Sequence, residues 1–144
     1  MKHMLTLFFF LGFARNTIPV IPGKILGDVM IGDTSEILRK KNFVVDDSRV
    51  SQDNTYYKRT DFLVRLVKDR VVQIWYEGDL KKLRVVGKSL PAKKDIPHFT
   101  KFFKNCDPIV KGSGGEILYC ENKGVEIVFS IDPVHGLGFS VTSP

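Results

Sequence analysis

Phe62-Leu63-Val64-Arg65-Leu66-Val67-Lys68-Asp69-Arg70-Val71-Val72-Gln73-Ile74-Trp75-Tyr76 is the stretch from which the fold can be read. Two runs rich in β-branched and aromatic residues flank the polar pair Lys68-Asp69, which predicts a hairpin of strands over Phe62 to Lys68 and Arg70 to Glu77. Side chains alternate across a strand. Phe62, Val64 and Leu66 therefore share a face with Val72, Ile74 and Tyr76, while Leu63, Arg65 and Val67 share the other with Val71, Gln73 and Trp75. The face that carries Arg65 and Gln73 is expected towards solvent, with Trp75 exposed on it. A β-bulge would invert that parity and put Trp75 in the core.

Working outward, Thr55 to Arg59 reads as a preceding strand joined through the turn Thr60-Asp61, after a polar loop over Asp46 to Asn54. Upstream lies a short helix, Thr34 to Lys41, with Asp33 as the expected cap, Glu36 three residues on, basic residues at its end and Asn42 as terminator. Asn16 to Gly23, with Pro19 and Pro22, is an extended lead-in. Downstream the order returns. Asp95 caps a second helix with Pro97 in its first turn and Phe99, Phe102, Phe103 and Cys106 at helical spacing, a core stripe. The loop Lys111 to Gly115 and strands over Glu116 to Glu121, Val125 to Ile131 and Leu137 to Val141 follow. The fold class is thus α+β: two repeats of a short helix and about three antiparallel strands, residues 24–80 and 81–142, forming one sheet with the helices on one face. Lys-Asn closes both helices (Lys41-Asn42, Lys104-Asn105), and a tyrosine opens each sheet half, Tyr57 and Tyr119.

The chain has 144 residues, 43% hydrophobic and 26% charged, which suits one globular domain over residues 15–144. Residues 1–14 have a basic start, the apolar run Leu5 to Leu11, and Gly12 and Ala14 before Arg15. They read as a signal peptide too short to span a bilayer, with a buried first strand as the alternative. Export makes the location periplasmic or secreted; without it the protein is cytoplasmic. In an oxidising compartment Cys106 and Cys120 would close a disulfide loop stabilising by about 3 kcal/mol; in the cytosol they are two small hydrophobes.

The formal charge of +6 is concentrated in Asp79 to Lys104, where eight basic residues face two acidic ones. Such a segment can steer an acidic partner, phosphate or an anionic membrane surface, or serve as a solvated connector. It lacks the aromatic and glycine interleaving of nucleic-acid modules.

The first half, with Ile31-Gly32-Asp33-Thr34-Ser35-Glu36-Ile37-Leu38, Tyr56-Tyr57 and Arg70-Val71-Val72-Gln73-Ile74, resembles the small exported lipoproteins of the outer-membrane β-barrel assembly machinery. Two such units in tandem are similar to the secreted β-lactamase inhibitor proteins, a resemblance that implies helices packed behind one concave antiparallel sheet. Two departures stand out. No lipobox cysteine follows the apolar N-terminal run, and only the second half has a cysteine pair in the helix-to-strand position.

No catalytic constellation emerges. His3, His98 and His135 lie in no motif, and Gly112-Ser113-Gly114 lacks the strand-turn-helix context of a reactive serine or a phosphate cradle. Asp46, Asp47 and Asp53 share a loop without the glycine and terminal glutamate of a calcium site, and the cysteine spacing fits no zinc pattern. Neither a metal nor a cofactor is expected. The sequence reading is a non-catalytic protein-binding domain of the cell envelope, an inhibitor or immunity protein that neutralises an enzyme or toxin. Its contact residues are Trp75, Arg65, Gln73, Tyr57 and Tyr119. An envelope structural or assembly factor is the other class.

Overall fold

The computed structural model describes residues 17–49, 51–93, 95–104, 110–112, 115–120, 124–130 and 137–143. The N-terminal run read as a signal or first strand lies outside them, as does Cys106.

Among the described residues the chain is α+β, and the strands form two sheets. The larger contains β4 (Val44–Val45), β5 (Thr55–Arg59), β6 (Phe62–Val67), β7 (Arg70–Tyr76), β10 (Val110–Gly112), β11 (Gly115–Cys120), β12 (Val125–Ser130) and β13 (Leu137–Thr142) in the order β10-β11-β12-β13-β7-β6-β5-β4. Two antiparallel four-strand meanders thus join back to back through β7 and β13, whose register sets Trp75 against Ser140. Both meanders follow a helix, α1 (Ser35–Lys40) and α2 (Ile96–Phe103). The expected order recurs, with four strands in each half rather than about three.

A second sheet was not foreseen. It holds β1 (Ile18–Ile21), β2 (Ile25–Leu26), β3 (Val29–Met30), β8 (Leu83–Val85) and β9 (Lys88–Ser89), ordered β3-β2-β1-β8-β9. The lead-in and the basic segment are therefore strands. They meet as a parallel pair, β1 on β8, so the segments that precede the two helices lie side by side. Pro19 is tolerated in β1 because its ladder with β2 stops there, its carbonyl accepting the Gly27 N–H at the turn.

The core lies between the two sheets and the helices. Val20, Leu26, Val29, Leu83 and Val85 come from the small sheet, and Leu38, Phe99 and Phe103 from the helices. Tyr57, Val64, Leu66, Ile74, Val125, Phe139 and Val141 line one face of the large sheet. Phe103 packs its ring 6.4 Å from Phe139. Phe62, Val64, Leu66 and Ile74 face inward as parity required, and the register places Ile127 opposite Phe139. Val71 does not follow the parity. A register shift between Arg65 and Leu66 pairs Leu66 with Val71, skipping Val72, and turns Val71 into the core at 1% exposure. The shift lies beyond Gln73, so Trp75 keeps its face.

The sheets are fastened at close backbone contacts. Gly23 N–H donates to the Gly124 carbonyl at 3.1 Å, and Val71 exchanges hydrogen bonds with the Gly32–Asp33 corner. Arg59 at the end of β5 holds both carboxylate oxygens of Asp28, at 2.7 and 2.8 Å, and lies over the Phe43 ring.

Capping of α1 differs from expectation. Thr34, not Asp33, is the N-cap and accepts the Ile37 N–H, because the Asp33 carboxylate takes the Met30 N–H and its backbone is spent on Met30 and Val71. Asp69 at the tip of the β6–β7 hairpin supplies a second acceptor, to Ser35 N–H. Asn42 ends the helix at φ 67°, and Asp95 caps α2 through His98 N–H at 3.0 Å, both as read.

Candidate binding face

Opposite the core, the large sheet has a second face, the one that carries Arg65 and Trp75. Its residues follow from the register. Thr60-Asp61 joins Arg59 to Phe62, so Tyr56 pairs with Arg65 and Arg65 with Gln73; one row along, Lys58, Leu63, Trp75, Ser140, Glu126 and Tyr119 succeed one another across six strands.

Trp75 is half-buried on this face, and the Tyr56 ring lies 6.4 Å from it at an interplanar angle of 31°. Arg65 runs beside them. Its Nη1 donates to Asn54 Oδ1 and its Nη2 to Gln73 Oε1, both at 3.2 Å. Both acceptors are neutral. Among the described residues the guanidinium has no carboxylate partner, and its buried Nε has no hydrogen-bond acceptor. Lys58, by contrast, is 3.7 Å from Asp46 Oδ1.

Beneath the aromatics the polar groups form a chain. Gln73 Nε2 donates to Ser140 Oγ at 3.1 Å, and Ser140 Oγ donates to the Glu126 carbonyl at 3.4 Å. Gln73 is 6% exposed and Ser140 1%. The expectation that Gln73 faces solvent is thus corrected: its amide is held between Arg65 Nη2 and Ser140 Oγ, so Gln73 positions Arg65. Leu63 is also buried, yet stands outside the main core cluster.

Tyr57 is a second correction. It lies on the core face at 3% exposure, its hydroxyl accepting from Arg39 Nη2 at 3.0 Å. Alternation places Tyr56 on the Trp75 face instead, a residue the sequence reading passed over. The two-residue turn at Thr60-Asp61 carried the signal, because counting back from Arg59 opposite Phe62 sets Tyr56 opposite Arg65. Tyr119 occupies a backbone position in the Trp75 row, three strands along.

Elsewhere the described residues hold no group of three or more histidine, cysteine, aspartate or glutamate side chains placed to bind a metal. The Asp46 loop is an internally bonded corner, with Asp46 receiving Ser48 N–H and Oγ–H and ion-pairing with Arg49 and Lys58. These contacts, the Ser48 hydroxyl first, hold its carboxyl below the ordinary aspartate value. His98 is exposed and bonded to Asp95 at 2.5 Å. Ser113, His135 and Cys106 lie outside the described residues, and no described helix is long and apolar enough to cross a membrane. No protein family, curated protein or solved structure matches this chain.

Proposed function

We propose that the chain is a non-catalytic protein-binding domain of the cell envelope, an inhibitor or immunity protein that covers a partner enzyme or toxin with the large sheet. The observation that carries this reading is the grouping of Trp75, Tyr56 and an acid-free Arg65 on the sheet face away from the core. Rigid aromatics beside an arginine are the side chains that anchor protein interfaces, since they bury much area for little lost rotamer freedom. The polar chain beneath them fixes the arginine before a partner arrives, which lowers the cost of binding. Tyr119 is included for its backbone position in the Trp75 row. The tandem pattern, similar to the secreted inhibitor proteins, favours the same use of the sheet.

The test is capture from native extract with the wild-type protein and with Trp75→Ala as control. A soluble enzyme or toxin retained by the first and lost by the second supports neutralisation. Membrane-assembly components in its place favour the scaffold reading that the lipoprotein resemblance raises. Location is tested separately. Export predicts a mature chain lacking residues 1–14 and a Cys106–Cys120 bond; a start at Met1 in the cytosol with two free thiols would make it a cytoplasmic immunity protein.

A further inference from the structure

The outward side of the small sheet has a composition that a solvated surface does not need. Ile21, Met30 and Val86 are exposed there at 39%, 50% and 72%, and Pro19, Ile21, Ile25 and Val86 border a hollow of about 490 Å³. A contiguous apolar patch of this kind marks an interaction surface. Val86 is the most telling residue. It and Gly87 are the two central residues of the β8–β9 hairpin, at φ 49° and 80°, the left-handed pair that such a turn requires. Asparagine or glycine takes the first of these positions readily; a β-branched residue is strained there. The chain thus holds an apolar side chain at a hairpin tip against both its torsional preference and its hydration, and strain retained at an exposed site points to use.

The surroundings indicate what the tip meets. Arg84 lines the hollow, Lys88 follows Gly87, and Lys81 and Lys82 lie on the adjoining turn whose Lys81 carbonyl accepts from Arg84 Nη1. None of these four is in an ion pair among the described residues. Lysine is depleted at protein interfaces because its ammonium is strongly hydrated. Lys88 beside the apolar tip, with Lys81 and Lys82 at the other end of β8, suits lipid phosphates, which accept the charge without dehydrating it while the apolar tip enters the acyl boundary. We infer that the β8–β9 hairpin and the outward side of the small sheet dock on an anionic membrane surface. The aromatic face of the large sheet lies across the core and stays free for its partner.

Vesicles of phosphatidylglycerol mixed into phosphatidylcholine, with pure phosphatidylcholine as reference, test this through sedimentation of the full chain. Val86→Asn is the decisive variant: it relieves the turn, so melting temperature should hold or rise, while vesicle affinity falls about tenfold with the loss of a buried valine. Lys81→Gln and Lys82→Gln should each cost about fivefold, and raised salt should release the protein. Because every variant retains the apolar run Leu5 to Leu11, the comparison isolates the hairpin. Equal binding to both vesicle types, or wild-type affinity in Val86→Asn, overturns the inference. So does a self-associated wild type that Val86→Asn makes monomeric without any vesicle binding, which would make the patch a contact between copies.

Discussion

Tyr56 and Trp75, on strands separated by β6, bring their rings to 6.4 Å across the sheet, whereas Tyr57, the next residue, is enclosed on the other side at 3% exposure. Two adjacent tyrosines therefore answer to different forces. Tyr57→Ala should cost about 3 to 5 kcal/mol, since it opens a cavity and removes the acceptor of Arg39. Tyr56→Ala should cost about 1 kcal/mol or less. At about 3 °C per kcal/mol for a chain of this size, the melting temperatures should separate by several degrees or more. Equal shifts would mean that the Tyr56 face is itself core.

For Trp75→Ala the expectation divides between folding and binding. Half-buried beside Tyr56, the indole adds some stability, and a fall of a few degrees is expected. A central aromatic anchor typically contributes about 2 kcal/mol or more to an interface, which is about thirtyfold in affinity. Titration with the captured partner measures it. Loss of folding without a comparable loss of affinity in the remaining native protein would remove Trp75 from the contact.

The parity of Phe62 to Tyr76 was legible because long alternating strands leave few other ways to bury one face. The placement of Arg65 and Trp75 followed from it, and Val71 departed only because one skipped residue shifts the register. The small sheet was not legible. Its strands run two to four residues, too short for periodicity to register, and the β1–β8 pairing joins distant segments through backbone contacts that leave no local pattern. Reading the basic segment Asp79 to Lys104 as a solvated connector followed from its charge, yet Leu83, Val85 and Leu90 within it are buried. The β8–β9 tip was hidden for a related reason: Val86-Gly87 is not a turn that residue preferences single out.

Gly124 is required by geometry at one approach. Its φ is 64°, and an added Cβ would stand 2.2 Å from the Gly23 Cα, backbone that cannot swing aside. Gly124→Ala should therefore destabilise by more than about 2 kcal/mol. Gly32, at φ 93° with open space around it, gives the torsional part alone, about 1 kcal/mol for Gly32→Ala. Denaturant unfolding of both should show the larger loss at Gly124; equal losses would mean that the Gly23 contact is slack.

The Asp28–Arg59 pair should shape the acid limb of stability. Paired hydrogen bonds from Arg59, opposed by partial desolvation and aided by its charge, hold Asp28 below the ordinary carboxylate value of 3.8. Because the folded pKa lies under the unfolded one, the contribution is complete above about 3.8 and is lost as pH falls through the depressed folded value. Asp28 is half exposed, so screening keeps the effect small. Asp28→Asn should be less stable than wild type at neutral pH and converge with it in acid. A difference that persists unchanged through the carboxylate range would assign it to packing.

Ser140 and Gln73 test whether the polar chain beneath the aromatic face acts as a unit. Ser140 Oγ accepts from Gln73 and donates to the Glu126 carbonyl, so Ser140→Ala leaves a buried amide donor and loosens a carbonyl at the same point. The expected cost is about 1 to 3 kcal/mol. Gln73→Leu alone strands the serine and takes one of the two acceptors from Arg65. In the double variant the donor and acceptor vanish together, so its loss should fall short of the sum of the single losses by about 0.5 kcal/mol or more. Arg65 supplies the second readout. Freed from Gln73, its guanidinium keeps only Asn54 and samples more rotamers, so both variants that lack Gln73 should bind the partner more weakly while Ser140→Ala binds nearly as wild type. Additive stabilities would show that the residues are neighbours without coupling. Unchanged affinity in Gln73→Leu would show that Arg65 needs no support, or takes no part in the contact.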